Sequence, residues 1–334
     1  MSNRISERPH FPTKELALNL TAIILTLNEA KHIARCIANA KRVADRIVII
    51  DSFSTDATAS LARALGAEVF QHNFVSHADQ FNWALRNVGI STEWVMKLDA
   101  DEYLEEDLIT ELHHKLPQLP RQVSAISLRY KLIFMDRWIR FGGRHALKLV
   151  RIWRFGSGRL ESRLMDEHVV IESGDIVMFK SSFRDHNLND FSFFISKHNG
   201  YSVREATQYL LQRYQLGAFG LSRGGYLERN TQSKRKLKAQ LYDRLPPFIA
   251  PFLYFMYRYF ILLGFLDGYQ GAIYHFFQGL WYRLLVAARL TYWDHKLAKA
   301  DPARRLMLLE ELSGLHLSFD TPSDCLSPEK RCES

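Results

Sequence analysis

Cysteine is scarce in this 334-residue chain: Cys36, Cys325 and Cys332 are the whole complement, two of them close to the C-terminus. An odd, sparse set at these spacings supplies neither a disulfide framework nor a zinc site, and points to a reducing compartment. Long apolar runs are missing too. Between Leu245 and Trp293 the longest stretches free of Asp, Glu, Lys and Arg are Leu245–Tyr257 and Gly268–Tyr282, 13 and 15 residues. Both fall short of the ~18–20 that a membrane-crossing helix needs, so no transmembrane helix is expected. The stretch Met1–Leu20 carries Arg4, Glu7, Arg8, Lys14 and Glu15 without an apolar centre, and no secretory signal is expected there. Fixed-period repeats and low-complexity tracts are also lacking, which excludes solenoid and collagen-like chains.

What is present is ordinary globular material, 47% hydrophobic and 24% charged, enough to bury a sizeable core in one large domain or two modest ones. Lys and Arg number 44 against 36 acidic residues, a net charge of +8. That excess suits an anionic partner: nucleic acid, anionic lipid or a phosphorylated substrate.

Hydrophobic periodicity divides the chain. Short β-branched runs at 21–27, 46–50, 67–70, 93–98 and 125–133 read as strands, and 29–41, 57–65, 77–88 and 104–116 read as helices. That alternation predicts an α/β fold with a mostly parallel, Rossmann-like sheet, helices on both faces, and ligands at the carboxyl ends of the strands. Residues 135–180 are irregular and glycine-rich, with extended pieces at 146–154 and 169–179 that are expected to continue the same sheet. The chain then reads as helical from about 187 to 297, followed by one further helix and a polar tail.

Three strand ends carry the chemistry. Asp99-Ala100-Asp101, a DxD motif, follows the apolar run Trp94–Leu98; carboxylates at that spacing can hold a hard cation whose other positions take water and phosphate oxygens. Asp51-Ser52-Phe53-Ser54-Thr55-Asp56 follows a second apolar strand, where Asp51 can accept hydrogen bonds from a base or ribose. Ser54, Thr55 or Asp56 can equally cap the next helix. The first strand ends in Thr26-Leu27-Asn28-Glu29.

These segments, with Asp79–Leu85 between them, resemble the family 2 glycosyltransferases: TAIILTLNEA (21–30), VIIDSFSTDAT (48–58), DQFNWAL (79–85) and WVMKLDADE (94–102) occur in the family's order over the first 110 or so residues. The resemblance implies the GT-A fold and an inverting sugar transfer from a nucleotide-sugar donor. Thr26, Asn28 and Glu29 would line the nucleotide, Asp51 would face base or ribose, and Asn82 would lie near the donor. Asp99 and Asp101 would bind Mg²⁺ or Mn²⁺, Asp101 more directly, and through it the diphosphate.

An inverting transfer to a hydroxyl also needs a base. Asp166-Glu167 stands where the family carries its acidic base; neighbours in an extended segment point to opposite faces, and Glu167 is favoured over Asp166. Upstream, Gly142-Gly143-Arg144 and the run Lys148–Arg154 resemble members that assemble bacterial lipopolysaccharide and exopolysaccharide. Strand alternation sets Lys148 opposite Arg151, so Arg144 and Arg151 are the expected phosphate contacts, or else edge-strand charges for solubility. His186 and His198 lie in a polar segment shared with that subgroup and carry no catalytic assignment.

The C-terminal part holds a basic stretch and an aromatic belt. Residues Arg223–Arg244 contain seven Lys or Arg and two acids, a net +5, and Leu245–Trp293 holds 16 of the 42 aromatics. Phe248, Phe252, Phe255, Tyr259 and Leu262 fall at helical spacing. The combination suits helices lying in a membrane interface on anionic lipid; a buried helical core or an oligomer interface is the competing reading. No recognition helix or RNA motif is visible, and no nucleic-acid partner is expected.

The domain expectation is an N-terminal extension 1–20, a catalytic domain 21–186 with its nucleotide-sugar part at 21–133 and acceptor part at 134–186, a helical region 187–300 and a tail 301–334. The functional expectation is a metal-dependent enzyme, peripheral on the cytoplasmic face of the bacterial inner membrane. It would add a sugar to a hydroxyl of a lipid-linked saccharide or lipid in cell-surface polysaccharide assembly. The rivals are a polyprenyl-phosphate sugar synthase, whose anionic acceptor needs no base, and a non-catalytic membrane-docking subunit.

Overall fold

The computed structural model describes residues 17–145, 147–161, 167–216 and 246–317. Asp166, the basic stretch 223–244, Cys325 and Cys332 lie outside them. The chain divides into two compact units. The first holds the described residues up to Arg159 together with Val169–Leu188; the second holds those of 160–168 and those from Asn189 onward.

The first unit is built on a sheet in the order β3-β2-β1-β4-β8-β6-β11-β5. Its strands are β1 (Leu20–Thr26), β2 (Arg46–Asp51), β3 (Glu68–Gln71), β4 (Trp94–Asp99), β5 (Glu102–Leu104), β6 (Val123–Phe134), β7 (Arg137–Trp138), β8 (Lys148–Arg154) and β11 (Asp175–His186), with β7 paired to β6. A short ribbon joins β9 (Gly158–Leu160) and β10 (Val169–Ile171). β1 pairs parallel with β2 and β4, and β2 with β3. β8 is antiparallel to both β4 and β6, so the irregular segment does extend the sheet and makes it mixed. This is the α/β GT-A architecture, with α1 (Ile33–Ala40), α2 (Thr58–Ala64), α3 (His77–Asn87) and α4 (Glu106–Lys115) connecting the strands.

Helices cover both faces, and β8 shows how. Ile152 joins the core formed by Leu20, Ala22 and Ile24 with Ile33 and Ile37 of α1 and Leu108 and Leu112 of α4. The next residue, Trp153, points the other way and meets Phe81 of α3 with ring centroids 5.4 Å apart. Alternation along a strand serves both layers at once.

Two details depart from the sequence reading. The extended piece 169–179 is broken at Gly174 (φ +87), where a Cβ would stand 2.0 Å from Ser124 Oγ and 2.8 Å from the Gln122 carbonyl oxygen. The chain re-enters as β11, which runs on to His186 and stops where the helical reading begins. β8 is an interior strand, not an edge, which removes the solubility reading of its charges.

In the second unit, α5 (Phe191–Arg213) starts at Asp190, whose Oδ1 accepts the Phe193 amide at 2.9 Å. It packs through Ala206, Leu210 and Leu211 on Trp293 and Leu297 of α8 (Tyr282–Lys299) and Leu309 of α9 (Arg305–Ser313). Between them lie α6 (Ile249–Met256), extended by a wide turn over Tyr257–Ile261, and α7 (Gly268–Tyr274), extended by another over His275–Trp281. The aromatic stripe of the sequence reading is not a buried face: Phe248 and Phe252 are exposed, and the buried positions of this stretch are Ala250, Pro251 and Arg258.

Candidate functional site

Parallel pairing brings three strand ends into line. In register, Thr26 of β1 stands beside Asp51 of β2, and Leu25 stands beside Asp99 of β4. The loops that follow β1 and β2 are stitched together by side chains. The Asn28 amide donates to Ser54 Oγ at 2.8 Å, Asn28 Oδ1 accepts the Thr55 amide at 2.8 Å, and the Glu29 amide donates to Thr58 Oγ1 at 2.7 Å. Asn28 adopts φ +57 to make this possible, a conformation that Asn tolerates better than most residues.

Asp51 is fully buried. Its Oδ1 accepts from Thr26 Oγ1 at 2.9 Å and from Ser54 Oγ, and its Oδ2 accepts the Ser54 amide at 2.9 Å. These bonds make the Asp51 carboxylate the organiser of the 52–54 turn, which carries Phe53 half exposed at φ +58. Asp56 supplies the capping bonds, accepting the Thr58 amide at 2.9 Å and the Ala30 amide at 3.2 Å. Glu29 is turned away from the strand end toward the buried His32, whose Nδ1 donates to Glu29 Oε2 at 2.5 Å while Nε2 accepts the Leu188 amide at 2.8 Å. Asn82 is half-buried on α3. Nearby on that helix Asp79 bonds His72 Nε2 at 2.8 Å, and the His72 ring stacks on Trp83 at 4.7 Å.

Asp99 and Asp101 occupy different surroundings. Asp99 Oδ1 accepts from Lys97 Nζ at 2.6 Å, and Oδ2 lies 3.7 Å from Arg151 Nη2. Burial alone would raise the Asp99 carboxyl, but the Lys97 ammonium and Arg151 guanidinium outweigh it and hold the group well below the usual carboxylate range. Arg151 also bonds Glu102 Oε1 at 2.5 Å, and Glu102 Oε2 accepts the Asp99 amide at 3.0 Å. Burial, with the Asp99 charge beside it, pushes the Glu102 carboxyl up against the pull of Arg151. Asp101 is buried, and its Oδ2 accepts from Asn187 Nδ2 at 2.9 Å. Its carbonyl oxygen takes the His186 amide at 3.0 Å and Arg35 Nη2 at 3.1 Å.

Arg151 therefore differs from expectation. It is buried among Asp99, Glu102 and the Phe183 ring, where its guanidinium helps hold Asp99 ionised, and it does not stand open at the surface. The pairing of β6 with β8 shifts around it: Ile126 faces Ile152 whereas Ser127 faces Val150. Arg151 is the extra residue of that bulge, and a bulge re-aims its side chain. Arg144 is half-buried in the turn before β8. Glu167 is half-buried and falls in the 160–168 segment of the second unit.

Sequence reasoning passed over Lys97, Glu102 and Arg35. Lys97 was within reach, since it shares the strand face of Asp99 two residues on; Arg35 carries no such signal, because only the end of β11 gives it a target.

Among the described residues, no three His, Cys, Asp or Glu side chains are grouped to hold a metal ion by themselves. A pair of carboxylates, one of them strongly ionised, fits instead a Mg²⁺ or Mn²⁺ whose remaining positions are filled by phosphate oxygens and water. Cys36 beneath the site is a buried thiol, pushed up by its burial and by the Glu102, Asp101 and Asp99 charges.

The glycosyl transferase family 2 model matches residues 21–186. An uncharacterized glycosyltransferase of Rickettsia bellii is 32% identical over 122 residues, 36% of this chain and 40% of that protein; the chain matches about two fifths of the length of such Rickettsia relatives. The lipopolysaccharide core biosynthesis glycosyltransferase LpsC of Rhizobium meliloti is 27% identical over 309 residues, 85% of this chain and 96% of that protein. Among solved structures, the mannosyltransferase PcManGT of Pyrobaculum calidifontis, in complex with GDP-Man and Mn²⁺, shares 15% identity over 89% of this chain and 85% of that one, with a TM-score of 0.39.

Proposed function

We propose, from the premise that residues 21–186 are a glycosyl transferase family 2 domain, that this enzyme moves a sugar from a nucleotide-sugar donor to a hydroxyl of a lipid-linked saccharide or lipid in bacterial lipopolysaccharide assembly. The observation that carries the donor side is the alignment of the Thr26, Asp51 and Asp99 strand ends on one edge of the sheet. That edge is where open α/β sheets bind ligands. The pathway is supported by the likeness to LpsC along most of both chains, and the enzyme would work at the cytoplasmic face of the inner membrane.

In this reading the loops stitched by Asn28, Ser54 and Thr55 hold the nucleoside, with Phe53 beside it, and Asp99 and Asp101 face the diphosphate. A divalent cation shared between that pair and the donor would offset charge on the departing nucleoside diphosphate. Lys97 and Arg151 keep Asp99 ionised for this, while Asn187 and Arg35 fix Asp101. Glu167 takes the proton of the acceptor hydroxyl as that oxygen attacks the anomeric carbon from the face opposite the leaving group.

The test is a panel of nucleotide-sugars with purified protein and Mn²⁺, scored by nucleoside diphosphate release with and without a lipopolysaccharide-core acceptor. Acceptor-dependent release from one donor is expected, and Glu167→Gln should keep donor affinity and lose roughly 10²–10⁴ in rate. Normal transfer by that variant, with loss in Asp166→Asn, would move the base to Asp166. If no donor is turned over or bound, the transferase reading fails.

A further inference from the structure

The segment Phe248–Phe276 of the second unit is built inside out for water. Of the 26 large hydrophobic side chains exposed among the described residues, 14 lie in these 29 positions. Phe252, Tyr257, Phe260, Ile261, Leu263 and Tyr269 point outward, Ile261 and Tyr269 at 70% and 66% exposure. The buried positions are taken by Ala250, Pro251, Arg258, Gly264, Asp267, Gly271, His275 and one large aromatic, Tyr274. A helix packed against its own protein in water shows the opposite partition, apolar inward and polar outward.

No single helix among the described residues is long and apolar enough to cross a membrane. The pair Ile249–Ile261 and Gly264–Lys299 passes such a test only together, and it is bent by 70° at the break. The bend is a made structure. Leu263 adopts φ +58. A Cβ on Gly264 would stand 2.9 Å from the Arg258 carbonyl oxygen of the first arm, so glycine is what lets the two arms close there. Three amides of the bend are satisfied internally: Leu262 donates to Tyr257 O at 2.9 Å, Leu263 to Phe260 O at 3.3 Å and Leu266 to Leu263 O at 3.0 Å. Internal satisfaction is what hydrocarbon demands of a non-helical turn and water does not. The arm Ile249–Ile261 is about 20 Å long, too short for a core of ~30 Å. Just before it in sequence stands the basic stretch Arg223–Arg244, net +5.

We infer that residues 248–276 form a monotopic hairpin that lodges its bend in one leaflet of an anionic bilayer. It rests on the membrane-facing part of the proposed function, and its test needs no catalysis. An environment-sensitive fluorophore is attached at Ile261→Cys, and separately at Met307→Cys, which is 65% exposed on α9, in the full chain with Cys325 and Cys332 changed to Ser. Vesicles are equal parts phosphatidylglycerol and phosphatidylcholine. The label at 261 is expected to shift blue and be quenched by spin labels in the acyl chains, the label at 307 to do neither. Binding should survive high salt in part, and Ile261→Asp, an exposed change checked for folding by circular dichroism, should weaken that remainder about tenfold. A 261 label that stays water-exposed on bound vesicles, complete release by salt, or protection of 261 by dimerisation in buffer would each overturn the hairpin. The first two would leave transfer activity intact, and a protein that inserts but transfers nothing would sink the transferase reading alone.

Discussion

Asp99 and Asp101 are two residues apart, yet the first is charged by Lys97 and Arg151 and the second is held by hydrogen bonds from Asn187 and to its backbone. Asp101→Ala should therefore weaken Mn²⁺-dependent binding of a nucleoside diphosphate about tenfold or more, as expected for a lost charged contact, and leave metal-free binding unchanged. Titration calorimetry with and without Mn²⁺ reads this, and wild-type affinity would return Asp101 to a structural role. Arg151 carries a different consequence. Arg151→Met leaves Glu102 buried beside Asp99 without its cation, which should cost about 3–5 kcal/mol in urea unfolding. Adding Glu102→Gln should restore most of that; equal losses in the single and double variants would show that the two groups are not coupled.

The element that brings Asp185, His186 and Asn187 to the site is β11, and it is irregular. Its register against β6 jumps from Met178 beside Ser127 to Ser182 beside Arg129, two residues more than the partner strand advances. The Lys180 and Ser181 amides in that jump donate to Glu111 of α4, at 3.2 and 2.9 Å, and Lys115 Nζ bonds the same carboxylate at 2.6 Å. Burial would raise Glu111, but these donors outweigh it and pull the carboxyl from 4.5 down to about 2. A folded value below the unfolded one gives stability that is complete above the unfolded value and lost as pH falls toward the folded value. Glu111→Gln should thus destabilise by about 1.5–3 kcal/mol at pH 7. The gap to wild type should close between about pH 4.5 and about pH 2. Denaturant unfolding at neutral and acid pH measures it; a gap independent of pH would mean that the charge is not what holds the bulge.

At the scale of the whole molecule, the +8 charge is unevenly spread, with five of the excess in Arg223–Arg244. A basic residue near an anionic surface contributes about 1 kcal/mol. Replacing Lys234, Arg235, Lys236 and Lys238 with Gln should weaken sedimentation with anionic vesicles about a thousandfold and leave binding to pure phosphatidylcholine unchanged. Equal weakening on both lipids would show that the stretch acts through something other than charge. Measured beside the Ile261→Asp variant, this separates attraction to the surface from burial in it.

By itself the sequence determined the alternation of strands and helices through residue 133, the placing of Thr26, Asp51 and Asp99 at strand ends, and the likeness to a glycosyltransferase family. These are local matters: short unbroken apolar runs rich in Ile and Val, buried on both faces, and polar residues where such runs stop. Only the tertiary structure decided which carboxylates are occupied and by what. Asp51 and Glu29 look like Asp99 in sequence, but Thr26, 25 residues away and set beside Asp51 by strand register, bonds the one, and the buried His32 bonds the other. Arg151 reads as an alternating surface charge until a bulge rotates it inward. In the belt, helical spacing announced a helix but not its polarity; which side of a helix is covered depends on what packs against it, and Gly264 lets the bend close on the Arg258 carbonyl, with Phe248, Phe252 and Phe260 left outside.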